Sequence, residues 1–79
     1  MSEVEFLASI LRGIVMKADS IRITKTTDEM GVLLSVSVDK QDMGKVIGKA
    51  GETAKCLRNI VGSYGAKHGI KLSVKILEP

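Results

Sequence analysis

The chain has 79 residues, 44% of them hydrophobic and 27% charged, and a formal net charge of +3. This length allows one domain, and the composition is that of a folded globular protein rather than a disordered one. No apolar run approaches the roughly 20 residues of a membrane-spanning helix, and the N-terminus lacks a secretory signal pattern, so a cytoplasmic protein without membrane contact is expected. With one cysteine and one histidine, neither an intrachain disulfide nor a metal centre is expected.

The first 20 residues predict an amphipathic helix. Ser2 followed three residues later by Glu5 resembles a capping box, and apolar residues then recur at helical spacing as far as Val15. The helix is expected to cover roughly residues 3–17 and to end before Asp19.

Two alternating segments then predict an antiparallel hairpin with one apolar face. Apolar and polar residues alternate from Ile21 and again from Val32 to Val38, and residues 27–31 between them supply turn chemistry. The segment from Ile70 to Ile76 alternates in the same way. Three strands are therefore expected to share one buried face.

The residues between the hairpin and the last strand predict two helices. Asp39 is expected to cap a short helix that ends near Ile47, with Asp42 favourably placed in its first turn. A longer helix over residues 52–67 should bury a stripe formed by Ala54, Leu57, Val61 and Tyr64, and Cys56 in it is expected to be a buried or half-buried thiol. The order α-β-β-α-α-β predicts an α+β fold in which three helices cover one face of a three-stranded mixed sheet.

The segment Val46-Ile47-Gly48-Lys49-Ala50-Gly51 is the most informative feature of the chain. Glycine has no Cβ and tolerates positive φ, so a sugar-phosphate chain can approach the backbone closely. The helix that follows points its unpaired N–H groups toward the same place. Residues 40–75 carry eight basic and two acidic side chains, whereas residues 1–39 carry four basic and six acidic ones. The sequence therefore predicts a polyanion as the ligand.

Other ways of binding phosphates or RNA fit the chain less well. Residues 44–50 are one residue short of a Walker A loop and lack its Ser or Thr, and the dinucleotide fingerprint needs a glycine where Val46 stands. A second GxxG, at residues 62–65, falls late in the predicted helix and is interpreted as close helix packing. The only aromatic residues apart from His68 are Phe6 and Tyr64, both in predicted helices, which argues against base stacking on the sheet.

Residues 42–51 resemble the helix–GxxG–helix core of a K-homology (KH) domain, and the helix-first order is similar to the type II arrangement. The resemblance covers residues 1–79 as a single KH domain, with its core at 32–77 and the GxxG at 48–51, as in small bacterial single-KH RNA-binding proteins. It implies a groove for about four nucleotides of single-stranded RNA, with low sequence selectivity, and a role as an RNA chaperone or post-transcriptional regulator. The residues do not separate RNA from single-stranded DNA.

The resemblance also implies which residues meet the RNA. The GxxG turn would contact phosphates, an apolar floor would lie under the bases, further basic side chains would contact phosphates, and the last strand with the loop before it would form the opposite wall. A core role for Ile47 is left open. The expected RNA-binding residues are Gly48, Lys49, Ala50 and Gly51 in the turn, Val46, Ile47 and Ala54 in the floor, Lys45, Lys55 and Arg58 at phosphates, and His68 and Lys71 in the wall.

Subunit contacts are implied as well, either a homodimer or a heterodimer with a larger KH-containing RNA-binding protein. The alternative interpretation is a KH-fold protein–protein or dimerisation module with little direct RNA binding. An enzyme is not expected, because no Ser/His/Asp set, paired carboxylate cluster or metal-ligand spacing is present, and no cofactor is expected either.

Overall fold

The structure is a computed structural model that describes residues 2–78, so the first and last residues of the expected domain lie outside the described part. Its helices and strands follow in the order α1 (Glu3–Arg12), β1 (Arg22–Asp28), β2 (Gly31–Ser37), α2 (Met43–Ile47), α3 (Glu52–Lys67) and β3 (Leu72–Ile76). Short 3-10 helices occupy Ala18–Ser20, Lys40–Asp42 and Lys49–Gly51. The predicted α-β-β-α-α-β order and the α+β class are confirmed.

The three strands form one mixed sheet in the order β1-β2-β3. β1 pairs antiparallel with β2, and β2 pairs parallel with β3, so that Val32 lies opposite Leu72. The hairpin turn is tighter than the predicted segment 27–31, because Asp28 pairs with Gly31 across the hairpin and its carboxylate accepts a hydrogen bond from the Met30 N–H. Because β3 stands at one end of the order β1-β2-β3, it is an edge strand of the sheet.

Helix α1 begins where the sequence predicts and ends earlier. Ser2 and Glu5 exchange the two hydrogen bonds of a capping box, each 3.2 Å long. The predicted continuation to residue 17 is wrong, because the N–H groups of Met16 and Lys17 donate to the Asp42 carboxylate at 3.1 and 2.9 Å. Those donors would have bonded to carbonyl oxygens in a longer helix, so a contact with the start of α2 ends α1.

The hydrophobic core fills the space between one face of the sheet and the helices. In β3, Leu72 and Val74 are buried whereas Ser73 and Lys75 are exposed, which confirms that this strand has one buried face. The completely buried apolar residues, with no more than 1% exposure, come from α1, β2, α2 and α3: Leu7, Leu11, Leu34, Val36, Val46 and Val61. Among residues 2–78, no helix has the length and apolar character needed to cross a membrane.

Helix α3 packs closely along β3. A Cβ atom at Gly65 would lie 2.6 Å from the Leu72 Cβ and 2.6 Å from the Ile70 carbonyl oxygen, so only glycine allows this approach. On the neighbouring side of the helix, Tyr64 stacks on Phe6 of α1 with ring centroids 4.4 Å apart. Cys56 is exposed, contrary to the expectation, because it lies off the buried stripe of this helix.

Candidate nucleic-acid interface

The turn between α2 and α3 has a backbone that only a few residue types adopt. Gly48 has φ 77° and ψ 173°, a region essentially restricted to glycine. Ala50 and Gly51 follow in the left-handed region, with φ values of 55° and 76°. A Cβ at Gly48 would also lie 2.3 Å from the Thr53 Oγ1, so this glycine is required by packing as well as by its backbone angles.

This backbone leaves hydrogen-bond donors at the surface. The Gly48 N–H donates to the Gly44 carbonyl oxygen at 2.8 Å and the Gly51 N–H to that of Gly48 at 3.2 Å. Within the described part of the chain, the N–H groups of Lys49 and Ala50 have no acceptor, and both residues are exposed. The turn also lies at the N-terminus of the 16-residue α3, where the helix dipole is positive. The combination favours an anionic ligand.

Asp42 fixes the start of α2 against the segment that follows α1. It is only 2% exposed, and its two carboxylate oxygens accept hydrogen bonds from the N–H groups of Met16 and Lys17. These bonds, with that of Met16 first, hold the pKa of the Asp42 carboxyl below its usual range, and the nearby Lys45 ammonium lowers it further. Sequence reasoning missed this role because the partners are 26 and 25 residues away, beyond the reach of any local pattern.

Exposed basic side chains flank the turn on both sides. Lys45 comes from α2, whereas Lys55 and Arg58 come from the first half of α3, which packs against α2. Arg58 precedes Gly65 by two helical turns and therefore lies on the side of α3 that faces β3. Together with Lys49, these residues place positive charge around the turn and along α3 toward the β3 edge.

The expected apolar floor is smaller than the sequence suggests. Val46 has 0% exposure and belongs to the core, so it offers no surface to a ligand in this structure. Ala54 is 5% exposed, which leaves little surface for a ligand. Ile47, at the end of α2, is partly buried against the core and is the one of the three that retains appreciable apolar surface.

His68 does not lie beside the GxxG turn. Its ring is 4.4 Å from that of Tyr64, which in turn stacks on Phe6, so His68 lies on the side of α3 that faces α1. It also follows the last residue of a helix that is about 24 Å long at 1.5 Å per residue and that begins at the turn. The structure therefore separates His68 from the other expected site residues.

Lys71 also differs from the expectation. The Lys71 carbonyl oxygen accepts a hydrogen bond from the Val32 N–H at 2.8 Å, which continues the pairing of β2 with β3. A Cβ at Gly31 would lie 2.9 Å from the Lys71 Cβ, so both residues project from the same face of the sheet. Because Leu72 projects into the core, Lys71 lies on the face turned away from the helices and not on the groove side.

A short and a long helix joined by a GxxG turn and packed on a three-stranded mixed sheet, in the element order α-β-β-α-α-β, define a type II KH fold. The family model described as "KhpA/KhpB, KH domain" matches residues 4–76. The chain belongs to this family, and the resemblance seen in the sequence is confirmed.

Individual relatives support the same assignment. A protein named RNA-binding protein KhpA from Chlamydia pneumoniae is 34% identical over 74 residues, which cover 94% of this chain and 95% of the relative. The protein of that name from Listeria monocytogenes is 35% identical over 74 residues, covering 94% and 97%. The one from Borreliella burgdorferi is 29% identical over 77 residues, covering 98% and 94%. The similarity therefore extends over nearly the full length of both chains.

Proposed function

We propose that this protein binds single-stranded RNA without catalysis and holds its sugar-phosphate backbone against the turn Gly48–Gly51. The observation that carries the proposal is that the N–H groups of two exposed residues, Lys49 and Ala50, have no acceptor in the described chain and lie at the N-terminus of α3. The three relatives described above, which are named RNA-binding proteins, support it.

The binding mechanism is electrostatic and uses the backbone as much as the side chains. The N–H groups of Lys49 and Ala50 donate to phosphate oxygens, and the Lys49 ammonium contacts the same or the next phosphate. Lys45, Lys55 and Arg58 supply further phosphate contacts. Each phosphate neutralised on a single strand contributes about −0.7 to the slope of log K against log salt, so three or four contacts give a slope of roughly −2 to −3.

The structure favours low sequence selectivity. Bases that lie over α2 meet Ile47, whereas Val46 and Ala54 are buried beneath the surface. The rings of Phe6 and Tyr64 stack on each other between α1 and α3, away from the face of the sheet. Few side chains are therefore available to read base edges or to stack on bases, and the backbone contacts determine the affinity.

Weak binding by one small groove is strengthened when two domains bind one RNA molecule. We propose that the protein works as a homodimer or together with a larger KH-containing partner, in the cytoplasm, as an RNA chaperone or post-transcriptional regulator. The family model, which covers both KhpA and KhpB domains, supports a partner from the same family.

The proposal is tested by fluorescence anisotropy with a labelled four-nucleotide single-stranded RNA, comparing the natural protein with Lys49→Asp/Ala50→Asp across salt concentrations. The variant should lose binding while circular dichroism shows that it is folded, because Asp is one of the residues that tolerates the left-handed backbone of Ala50. Ala66→Asp/Lys67→Asp, at two exposed positions late in α3, makes the same change in net charge; it is the matched control and should bind like the natural protein. Equal binding by all three proteins would contradict the proposal.

The alternative, a dimerisation module, is tested with the same variants. If Lys49→Asp/Ala50→Asp leaves RNA binding intact and instead changes the molecular mass measured by light scattering, the GxxG turn serves subunit contact. The substitutions leave unchanged the exposed apolar side chains that lie outside the turn, among them Met16 at 78%, Met30 at 72% and Ile60 at 46%. A dimer held by those side chains would therefore keep its molecular mass.

A further inference from the structure

The face of the sheet turned away from the helices, here called the outer face, carries an ordered array of polar side chains. The strand register places Thr24, Ser35 and Lys75 in one row across the three strands and Thr26, Leu33 and Ser73 in the next. Lys71 begins a further row, beside Gly31. In the described chain none of the Thr and Ser hydroxyls in these rows makes an intrachain hydrogen bond, so they are available to a ligand.

The outer face has a net positive charge. Arg22 joins Lys71 and Lys75 on it, whereas Asp28 is its acidic residue. The Asp28 carboxylate is already engaged, since it accepts a hydrogen bond from the Met30 N–H at 2.7 Å. Lys71 and Lys75 are exposed and form no ion pair within residues 2–78. The charge and the hydroxyl groups match the phosphate and sugar oxygens of a nucleic-acid backbone, which Lys, Ser and Thr commonly contact.

The same face does not match an apolar protein partner. Leu33 is the large apolar residue in the two central rows, and it is partly buried by its neighbours. The rest of these rows consists of hydroxyl side chains and Lys75. An interface core needs large apolar or aromatic side chains, and those on this face are Leu33, which is partly buried, and Leu77, which is 41% exposed at the margin beyond Lys75.

The outer face also continues from the proposed groove. β3 is an edge strand that follows α3 after a short loop and packs along it, with Leu72 against Gly65 near the end of the helix. β3 therefore runs back toward the start of α3, and Lys75 lies at the end of the strand nearer the GxxG turn. Lys71, Ser73 and Lys75 follow one another at intervals of about 6.6 Å along the edge, a spacing comparable to that of phosphates in an extended strand.

We propose that the outer face is a second backbone-binding surface for the same single-stranded RNA. The strand would leave the groove, pass round the edge of β3 and lie across the rows of hydroxyl groups, held by Lys75 and Lys71. The inference rests on the proposed function, because it needs an RNA molecule already held at Gly48–Gly51. It adds that the binding site is longer than the groove.

The test compares a four-nucleotide RNA, which fits the groove, with a 16-nucleotide single-stranded RNA. Lys71→Gln/Lys75→Gln should bind the short RNA like the natural protein. On the long RNA it should bind about five- to twentyfold more weakly at 0.1 M salt, and the salt slope should flatten by about 1.4, the value for two lost phosphate contacts. Lys71→Arg/Lys75→Arg should retain full binding, and Lys67→Gln, an exposed lysine near the end of α3, should change neither RNA.

Each other outcome overturns the inference. Equal losses on the short and long RNA would place these lysines in the groove, and unchanged binding of both would show that the outer face is not used. A change in molecular mass without a change in long-RNA affinity would assign the face to subunit contact, and a larger loss on a duplex than on the single strand would assign it to double-stranded RNA. Failure of the proposed function is separate, because it appears as unaltered short-RNA binding by Lys49→Asp/Ala50→Asp.

Discussion

The chain contains the GxxG pattern twice, and the two copies have opposite roles in the structure. In Gly48–Gly51 the backbone leaves the helical region at Gly48, Ala50 and Gly51, and two N–H groups are exposed without acceptors in the described chain. In Gly62–Gly65 the backbone is part of α3, and Gly65 packs against β3. The spacing of the two glycines is the same in both copies. The backbone conformation between two helices is what distinguishes the proposed phosphate-binding turn.

The largest difference is expected between the first glycines of the two copies. Gly48→Ala should destabilise the protein by about 3 kcal/mol or more, because it combines a glycine-only backbone region with a clash against Thr53. Gly62→Ala should stabilise it by about 0.5–1 kcal/mol, because a Cβ there meets nothing within 4 Å and alanine is the better helix former. Urea unfolding measures both. A similar loss in the two variants would contradict the comparison.

The second glycine of each copy, Gly51 or Gly65, should also matter for stability, but for different reasons. Gly65→Ala should cost about 1–3 kcal/mol through overpacking, and Gly51→Ala about 1–2 kcal/mol through its left-handed backbone at φ 76°. Asparagine separates the two causes, since it tolerates the left-handed region but is larger than alanine. Gly51→Asn should be milder than Gly51→Ala, and Gly65→Asn should be worse than Gly65→Ala. The reverse order in thermal melts would show that the causes are misassigned.

A smaller, pH-dependent effect is expected at Asp42, which anchors the helix leading into the first copy. Because folding lowers the pKa of this carboxyl, its stabilising contribution is present above the ordinary aspartate pKa of about 3.9 and is lost as the pH falls through the lower folded value. Asp42→Asn should therefore lower the unfolding midpoint at pH 7, and the difference from the natural protein should shrink toward pH 3. Asp19→Asn, at an exposed aspartate, is the control and should change the midpoint little at any pH. An Asp42→Asn effect that does not vary with pH would contradict this role of the carboxylate.

The smallest effect is expected at Ala50, the residue between the glycines that has a left-handed backbone. Ala50→Gly removes the strain of that backbone, at φ 55°, but adds freedom to the unfolded chain. The two terms nearly cancel, so the free energy of unfolding should rise by at most about 1 kcal/mol, and RNA affinity should stay unchanged. A marked loss of affinity would show that the Ala50 methyl group contacts RNA directly.

The sequence predicted the architecture well because the fold follows local periodicity. The capping box at Ser2 and Glu5, the alternation in β2 and β3 and the span of α3 all appear in the structure. The early end of α1 could not be predicted, since it depends on Asp42, which is distant in the chain. The hairpin turn lies where the sequence predicts it, but it is shorter than the predicted residues 27–31, because the strands pair as far as Asp28 and Gly31.

The candidate site was predicted less completely than the fold. The GxxG turn and its flanking basic residues could be read from the sequence, because glycine and charge act locally. The floor could not, since periodicity does not show whether Val46 faces a groove or the core, and Val46 is fully buried. The alternation in β3 already places Lys71 on the face opposite Leu72, so its expected place in the groove wall came from the family resemblance and not from the strand pattern.

We propose that the first copy of the pattern, and not the second, holds the RNA backbone. The most direct test is a titration of the ¹⁵N-labelled protein with the four-nucleotide single-stranded RNA, followed by amide chemical shifts. We expect the amide signals of Lys49 and Ala50 to move most and those of Ser63 and Gly65 to stay nearly fixed. Two results would contradict a role for the first copy. One is RNA binding without movement of the Lys49 and Ala50 amide signals, and the other is a larger movement of the Ser63 and Gly65 signals than of the Lys49 and Ala50 signals.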